Sequence, residues 1–116
     1  PYKLVDYDLL PGREQDQRCV ARVAASENVL TIDGEGSGPI EAFVTALVET
    51  LNEPVTILSF QEVAIGTGSD AQAICIVSIE DKEEGQRCYG VGISRNTTTT
   101  ALNAVISAMN RRWGKA

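Results

Sequence analysis

Gly34-Glu35-Gly36-Ser37-Gly38-Pro39-Ile40-Glu41-Ala42-Phe43-Val44-Thr45-Ala46-Leu47-Val48 is the stretch on which the reading of this chain turns. Its glycines are expected to break a strand. Pro39 then stands where a first helical residue belongs, because the N–H that proline lacks would have no intrahelical acceptor there. From Ile40 the apolar residues Phe43, Val44, Leu47, Val48 and Leu51 follow at helical spacing and mark one face of a helix ending near Asn52. Working back from this point, Tyr2 to Leu10, Arg18 to Ala24 and Val29 to Asp33 read as three strands. Pro11-Gly12 with a polar run to Gln17, and Ser26-Glu27-Asn28, supply the turns between them.

Working forward, the plan repeats. Val55 to Ile65 reads as a strand and Gly66-Thr67-Gly68-Ser69 as a turn. Asp70 to Glu80 is a second strand, apolar on both faces as expected in the middle of a covered sheet. Asp81 to Gly85 turns into a third strand, Arg87 to Ile93. Asn96 is the expected cap of a second helix, whose apolar face is Leu102, Val105, Ile106, Met109 and Trp113. The two halves share a β-β-β-α order at an offset of about 56 to 58 residues, with Gly34-Glu35-Gly36 answering to Gly90-Val91-Gly92. The expectation is an α+β fold of two pseudo-twofold-related βββα units, each antiparallel sheet covered by a helix and the two helices close together. All of residues 1–116 form one domain in this reading, with unit one about 1–53 and unit two about 54–116.

Composition narrows the function. The chain has 116 residues, 43% of them hydrophobic but only 5% aromatic, so the core must rest on Val, Ile, Leu and Ala. A net charge of −6 argues against nucleic acid and against an anionic membrane surface as partners. No apolar run is long enough to span a bilayer. Cys19, Cys75 and Cys88 sit inside strand-like stretches without a CxxC spacing and read as small buried hydrophobes of a reducing cytoplasm. There is no histidine, which removes the commonest general base and metal ligand, and no two carboxylates stand out as an acid–base pair. No catalytic residue and no metal ligand is expected in the chain.

Some motifs allow two readings. Gly34 to Gly38 lacks the Gly-Lys-Ser/Thr ending of a phosphate loop; it is a turn needing positive φ or close backbone approach, or a helix N-terminus that holds a carboxylate. Gly66 to Ser69 is a hairpin turn, with Asp70 beside it as a candidate for a ligand ammonium group. The hydroxyls of Thr97 to Thr100 can cap the first turn of a helix or face a bound polar group. Arg111-Arg112-Trp113-Gly114-Lys115 reads as a frayed helix end, and Asp81, Glu83 and Glu84 as a solvated turn.

Three segments in register carry a resemblance. Gly34 through Phe43 resembles the GxGxGPxxAF motif of the regulatory domain of 2-isopropylmalate synthases, and Asp70-Ala71-Gln72-Ala73 is similar to its DAQA motif. Tyr89-Gly90-Val91-Gly92-Ile93 followed by Ala104 to Arg111 is similar to the domain's ending. The resemblance covers nearly the whole chain and implies two βββα units that sense leucine and contribute to a homodimer. It further implies a parent that condenses acetyl-CoA with 2-oxoisovalerate in leucine biosynthesis, using a divalent metal in a (β/α)8 barrel of the same polypeptide. That barrel and its metal-binding histidines are expected N-terminal to this segment, which itself needs no cofactor.

Carried over by position, the resemblance implies an effector pocket between the units. Gly38, Ile40 and Glu41 would lie at the first helix start, Ile57, Phe60 and Ala64 on the fourth strand, Asp70 and Ala71 at the fifth, and Thr97 at the second helix start. The chain departs from the family at Ser59-Phe60, often Asp-Tyr, at Val63, often His, and at Glu41 and Thr97, which add a carboxylate and a hydroxyl. Two rival readings accompany this one. One is a purely structural dimerisation domain; the other is the regulatory domain of a related citramalate synthase, a type that senses isoleucine.

Overall fold

Strand alternation and helical periodicity resolve into the expected elements in the computed structural model, which describes residues 1–114. In chain order these are β1 (Tyr2–Pro11), β2 (Gln17–Ala25), β3 (Asn28–Gly36), α1 (Pro39–Leu51), β4 (Val55–Ile65), β5 (Gln72–Asp81), β6 (Gln86–Ser94) and α2 (Thr97–Gly114). A single 3-10 turn, Gly68–Asp70, separates β4 from β5, so Asp70 belongs to that turn and not to the strand predicted to begin there. The chain divides into two compact units, Pro1–Val55 and the part from Thr56. Each is an antiparallel three-stranded sheet, ordered β1-β2-β3 and β4-β5-β6, followed by a helix.

In the first unit Cys19, Ala21 and Val23 of β2 are buried on one face, opposite Gly34, Ile32 and Leu30 of β3. Helix α1 lays Ala42, Phe43, Ala46 and Leu47 on that face, all fully buried. In the second unit Cys75, Val77 and Ile79 of β5 are covered by Leu102, Val105 and Met109 of α2. The predicted helix faces are therefore the buried ones; the side chain of Trp113 lies outside the described residues. Burial keeps all three cysteines as free thiols and pushes Cys19 up to about 11, mainly by desolvation of the thiolate.

The glycines do something other than break a strand. Gly34 and Gly36 lie inside β3, and a Cβ built on Gly34 would stand 2.3 Å from the Ala46 backbone nitrogen. In the second unit a Cβ on Gly92 would meet the Thr100 carbonyl oxygen at 2.1 Å. Neither glycine has a positive φ; both are needed because helix backbone presses directly on strand backbone. The facing helical positions are mostly alanine: Gly34 meets Ala42 and Ala46, Gly90 meets Ala104 and Ala108, and Gly92 meets Thr100 and Ala104.

This geometry corrects the register of the repeat. Gly34 answers to Gly92, 58 positions on, and not to Gly90. Their strand partners Cys19 and Cys75 are 56 apart. The two extra residues lie in the hairpins: β2 turns into β3 through Ser26-Glu27, whereas β5 turns into β6 through Lys82-Glu83-Glu84-Gly85.

Of the end of α2 predicted to be solvated, Arg111 is exposed, Arg112 is not, and Lys115 lies outside the described residues. The Arg112 side chain is only 6% exposed, and its Nη1 lies 3.3 Å from Asp81 Oδ2, itself in a side chain 15% exposed. The other oxygen of Asp81 accepts the N–H of Glu83 at 2.9 Å. One carboxylate thus closes the β5–β6 turn and ties it to the helix.

Substituting Ala at Gly34 or Gly92 is expected to cost about 3 kcal/mol, because the obstructing atoms are backbone and cannot rotate away. Gly38, with nothing within 4 Å of its Cβ direction, should accept Ser with no loss of stability; urea unfolding followed by circular dichroism compares the three. By the same measurement Asp81→Ala should lose roughly 3 kcal/mol by removing the carboxylate that faces the part-buried Arg112 and closes the turn, while Glu84→Ala, in the same turn, should stay near wild type.

Candidate functional site

Helix starts leave backbone N–H groups without intrahelical acceptors, and the predicted effector residues cluster around two such starts. At α1 the N-cap is Gly38, in an extended conformation, and its carbonyl accepts the Ala42 N–H at 2.9 Å. Ile40 is half-buried and Glu41 exposed. Glu41 turns back on the chain, its Oε1 accepting the Ser37 N–H at 2.7 Å. The residue expected as an extra carboxylate beside a pocket thus already serves the backbone, and its charge partly offsets the positive end of the helix.

At α2 the arrangement is different. Asn96 caps as predicted: its Oδ1 accepts the Thr99 N–H at 2.9 Å and its carbonyl the Thr100 N–H at 2.9 Å. Thr97 is the first helical residue and is exposed. Thr100 points inward, fully buried, with its hydroxyl 2.6 Å from that of Ser94. The first turn carries no acidic residue. The N–H groups of Thr97 and Thr98 precede the first helical bond and face no carboxylate of their own turn.

Strand pairing and alternation place five more predicted residues within the second unit. Ala73 at the start of β5 pairs with Ser94 at the end of β6, so Asp70 and Ala71 share an end of the sheet with Thr97. There Arg95 Nη2 stands 4.0 Å from Asp70 Oδ1, both side chains largely exposed. Along β4 the alternation divides the predicted set. The Ser59 hydroxyl lies 2.7 Å from that of Ser78, whose strand turns Cys75, Val77 and Ile79 toward α2, so Ser59 is on the face away from that helix. Ile57 shares that face by alternation, while Phe60, 56% exposed, and Ala64 take the opposite one. Within the first unit Gly38, Ile40 and Glu41 are neighbours; within the second, Asp70, Ala71 and Thr97 share one end.

Sequence reasoning missed Arg95 and the buried Ser94–Thr100 hydroxyl pair. The signal for the latter was Thr100 itself, which falls on the alanine row of α2 that meets the glycines of β6. It also missed an open depression of about 390 Å³ in the first unit, lined by Arg13, Asp16, Asp33, Glu35, Thr45 and Glu49, along with Gly34. Four carboxylates against one guanidinium make that depression a poor receptor for an anion, and none of the predicted effector residues lines it.

With the two βββα units in place, the comparisons supply the family. A family model described as the LeuA allosteric (dimerisation) domain matches residues 1–113. The chain belongs to that family. It is 38% identical over 111 residues to a 2-isopropylmalate synthase of Brucella suis biovar 1, an alignment covering 94% of this chain and 20% of the relative. It is 38% identical over 112 residues to the 2-isopropylmalate synthase of Rhodospirillum rubrum, covering 95% of this chain and 20% of that one. Over 100 residues it is 40% identical to the 2-isopropylmalate synthase of a Parafrankia species, covering 86% and 17%. The chain thus spans about a fifth of the length of these relatives. Among the described residues no helix is long and apolar enough to cross a membrane.

Replacing Asn96 by Ala should cost about 1 kcal/mol, the usual value of a side-chain cap, and Asn96→Asp should restore it. The same urea transitions measure both.

Proposed function

We propose that this chain is the regulatory domain of a 2-isopropylmalate synthase. In this reading it binds leucine or a closely similar branched-chain amino acid, forms a homodimer, and carries feedback inhibition to the catalytic barrel of the same cytoplasmic polypeptide. The parent condenses acetyl-CoA with 2-oxoisovalerate; a divalent metal belongs to the barrel, and the segment performs no catalysis of its own. The observation that carries the reading is the match over residues 1–113 to a family described as both allosteric and dimerising.

The chemistry of the second unit supports it. A free amino acid is a zwitterion with a side chain to bury. The N–H groups at the start of α2, with Arg95 two residues before it, suit a carboxylate, and Asp70 suits an ammonium group. The α1 start, already answered by Glu41, suits an anion less well. Burying an isobutyl group contributes roughly 2 to 3 kcal/mol. Sensing at micromolar to millimolar leucine needs about −4 to −8 kcal/mol in total, so a few charge-assisted hydrogen bonds suffice for the remainder. Inhibition then requires two arrangements of the protein that bind the effector with different affinity.

Isothermal calorimetry of the chain with leucine, isoleucine and valine is the test. Leucine should give measurable heat and raise the melting temperature, and isoleucine and valine should be weaker. No heat and no thermal shift with any of the three would leave the assembly role alone. Strongest binding of isoleucine would reassign the effector.

A further inference from the structure

Strands β5 and β6 are apolar on both faces, and only one of those faces is covered by α2. On the other, Ile74 pairs with Ile93, Ile76 with Val91, and Ser78 with Tyr89. Ile76 is 44% exposed, Tyr89 51%, Val91 44% and Ile93 55%. Ser78 is buried beneath its neighbours, while Ile76, Tyr89, Val91 and Ile93, with the half-buried Ile74, form an apolar patch across the two strands, of the kind that marks an interaction site on a folded protein.

The first unit acts as an internal control. It has the same strand order and the same helix-facing core, yet its outer face is ionic. Arg18 and Asp33 form a bidentate pair with a contact of 2.5 Å, and Arg22 pairs with Asp6. Hydrogen bonding from Arg22 and from Arg18 holds the Asp6 and Asp33 carboxyls below the usual carboxylate range. Those pairs are solvated, and they show that the fold does not require an apolar outer sheet face.

We propose that the outer face of the second sheet, formed by Ile74, Ile76, Tyr89, Val91 and Ile93, is the surface through which two copies of this chain associate. The proposal rests on the dimer-forming reading above and names the surface that serves it. Electrostatics selects the face. Each copy carries a net charge of −6, so two copies attract only where their carboxylates do not meet. The patch contains no carboxylate: Glu80 stands opposite Arg87 at one end, and Arg95 follows Ile93 beyond the other. A two-fold interface also brings the same residues together from both sides. An apolar face satisfies that requirement with itself, whereas the Asp6, Asp8, Arg18, Arg22 and Asp33 surface would set like charges together in many registers. Two such sheets can pack face to face about 10 Å apart, as aligned sheets do.

Sedimentation equilibrium of the whole chain, with circular dichroism as the check on folding, tests the proposal. The wild type should form dimers. The double variant Ile76→Glu with Val91→Glu should associate about 100-fold more weakly, and so should Ile76→Lys with Val91→Lys. An equimolar mixture of the two should recover dimers, and Thr31→Glu on the outer face of the first sheet should associate like wild type. The milder Val91→Thr, which keeps a strand-forming shape, should weaken association by about fivefold even if the charged variants fail to fold. Wild-type dimers left unchanged by Val91→Thr and by folded charged variants would overturn the proposed face while leaving the dimer-forming reading intact. A wild type that stays monomeric to millimolar concentration would overturn both.

Discussion

The contact on which each unit depends is the approach of helix backbone to strand backbone at the glycines of the third strand. At Gly34 and Gly36 against Ala42 and Ala46, and at Gly90 and Gly92 against Thr100, Ala104 and Ala108, there is no room for a β-carbon. Such closeness leaves few voids between the layers and brings the larger residues on either side, Phe43 and Leu47 in one unit and Leu102 and Met109 in the other, down onto the sheet. With only 5% aromatic residues the chain has little bulk to fill space. It reduces the space instead. The cost of this solution is intolerance: a single methyl group at any of these glycines forces the two layers apart.

From that contact follows the placement of the helix starts. Each helix is pinned over its third strand, so its first turn emerges at the end of the sheet where that strand finishes. The two starts are then finished differently. Gly38 offers no side chain and Glu41 closes the first, while Asn96 caps the second without adding charge near Thr97. Duplicated architecture thus carries two unlike electrostatic ends, and only the second keeps the field of its helix dipole unopposed by its own first turn. The same divergence is visible on the outer sheet faces, ionic in the first unit and apolar in the second. Identical folds have been given separate surfaces.

Much of this was legible in the residues alone. Periodicity defined both helices and all six strands, because amphipathic spacing reports which residues must leave water irrespective of what they touch. Asn96 as a cap, the burial of all three cysteines and the middle position of β5 were readable for the same local reason. The family, too, was present in the three motifs, as the match over residues 1–113 bears out.

What tertiary structure alone decided is how distant segments meet. Gly34-Glu35-Gly36 read as a strand break that needs positive φ or close backbone approach; only the fold shows that the strand runs on through them and that the approaching backbone is that of a helix about ten residues on. The two-residue difference between hairpins, which shifts the repeat so that Gly34 answers to Gly92, is set by pairing across strands. Arg112 read as a frayed end until Asp81, 31 positions earlier, was brought beside it. The exposure of Ile76 and Val91 was hidden by a pattern that suits a strand covered on both faces equally well. Sequence specifies which side of an element is apolar; only the packed chain decides which of those sides finds a partner within the same molecule, because burial is a property of the neighbours and not of the residue.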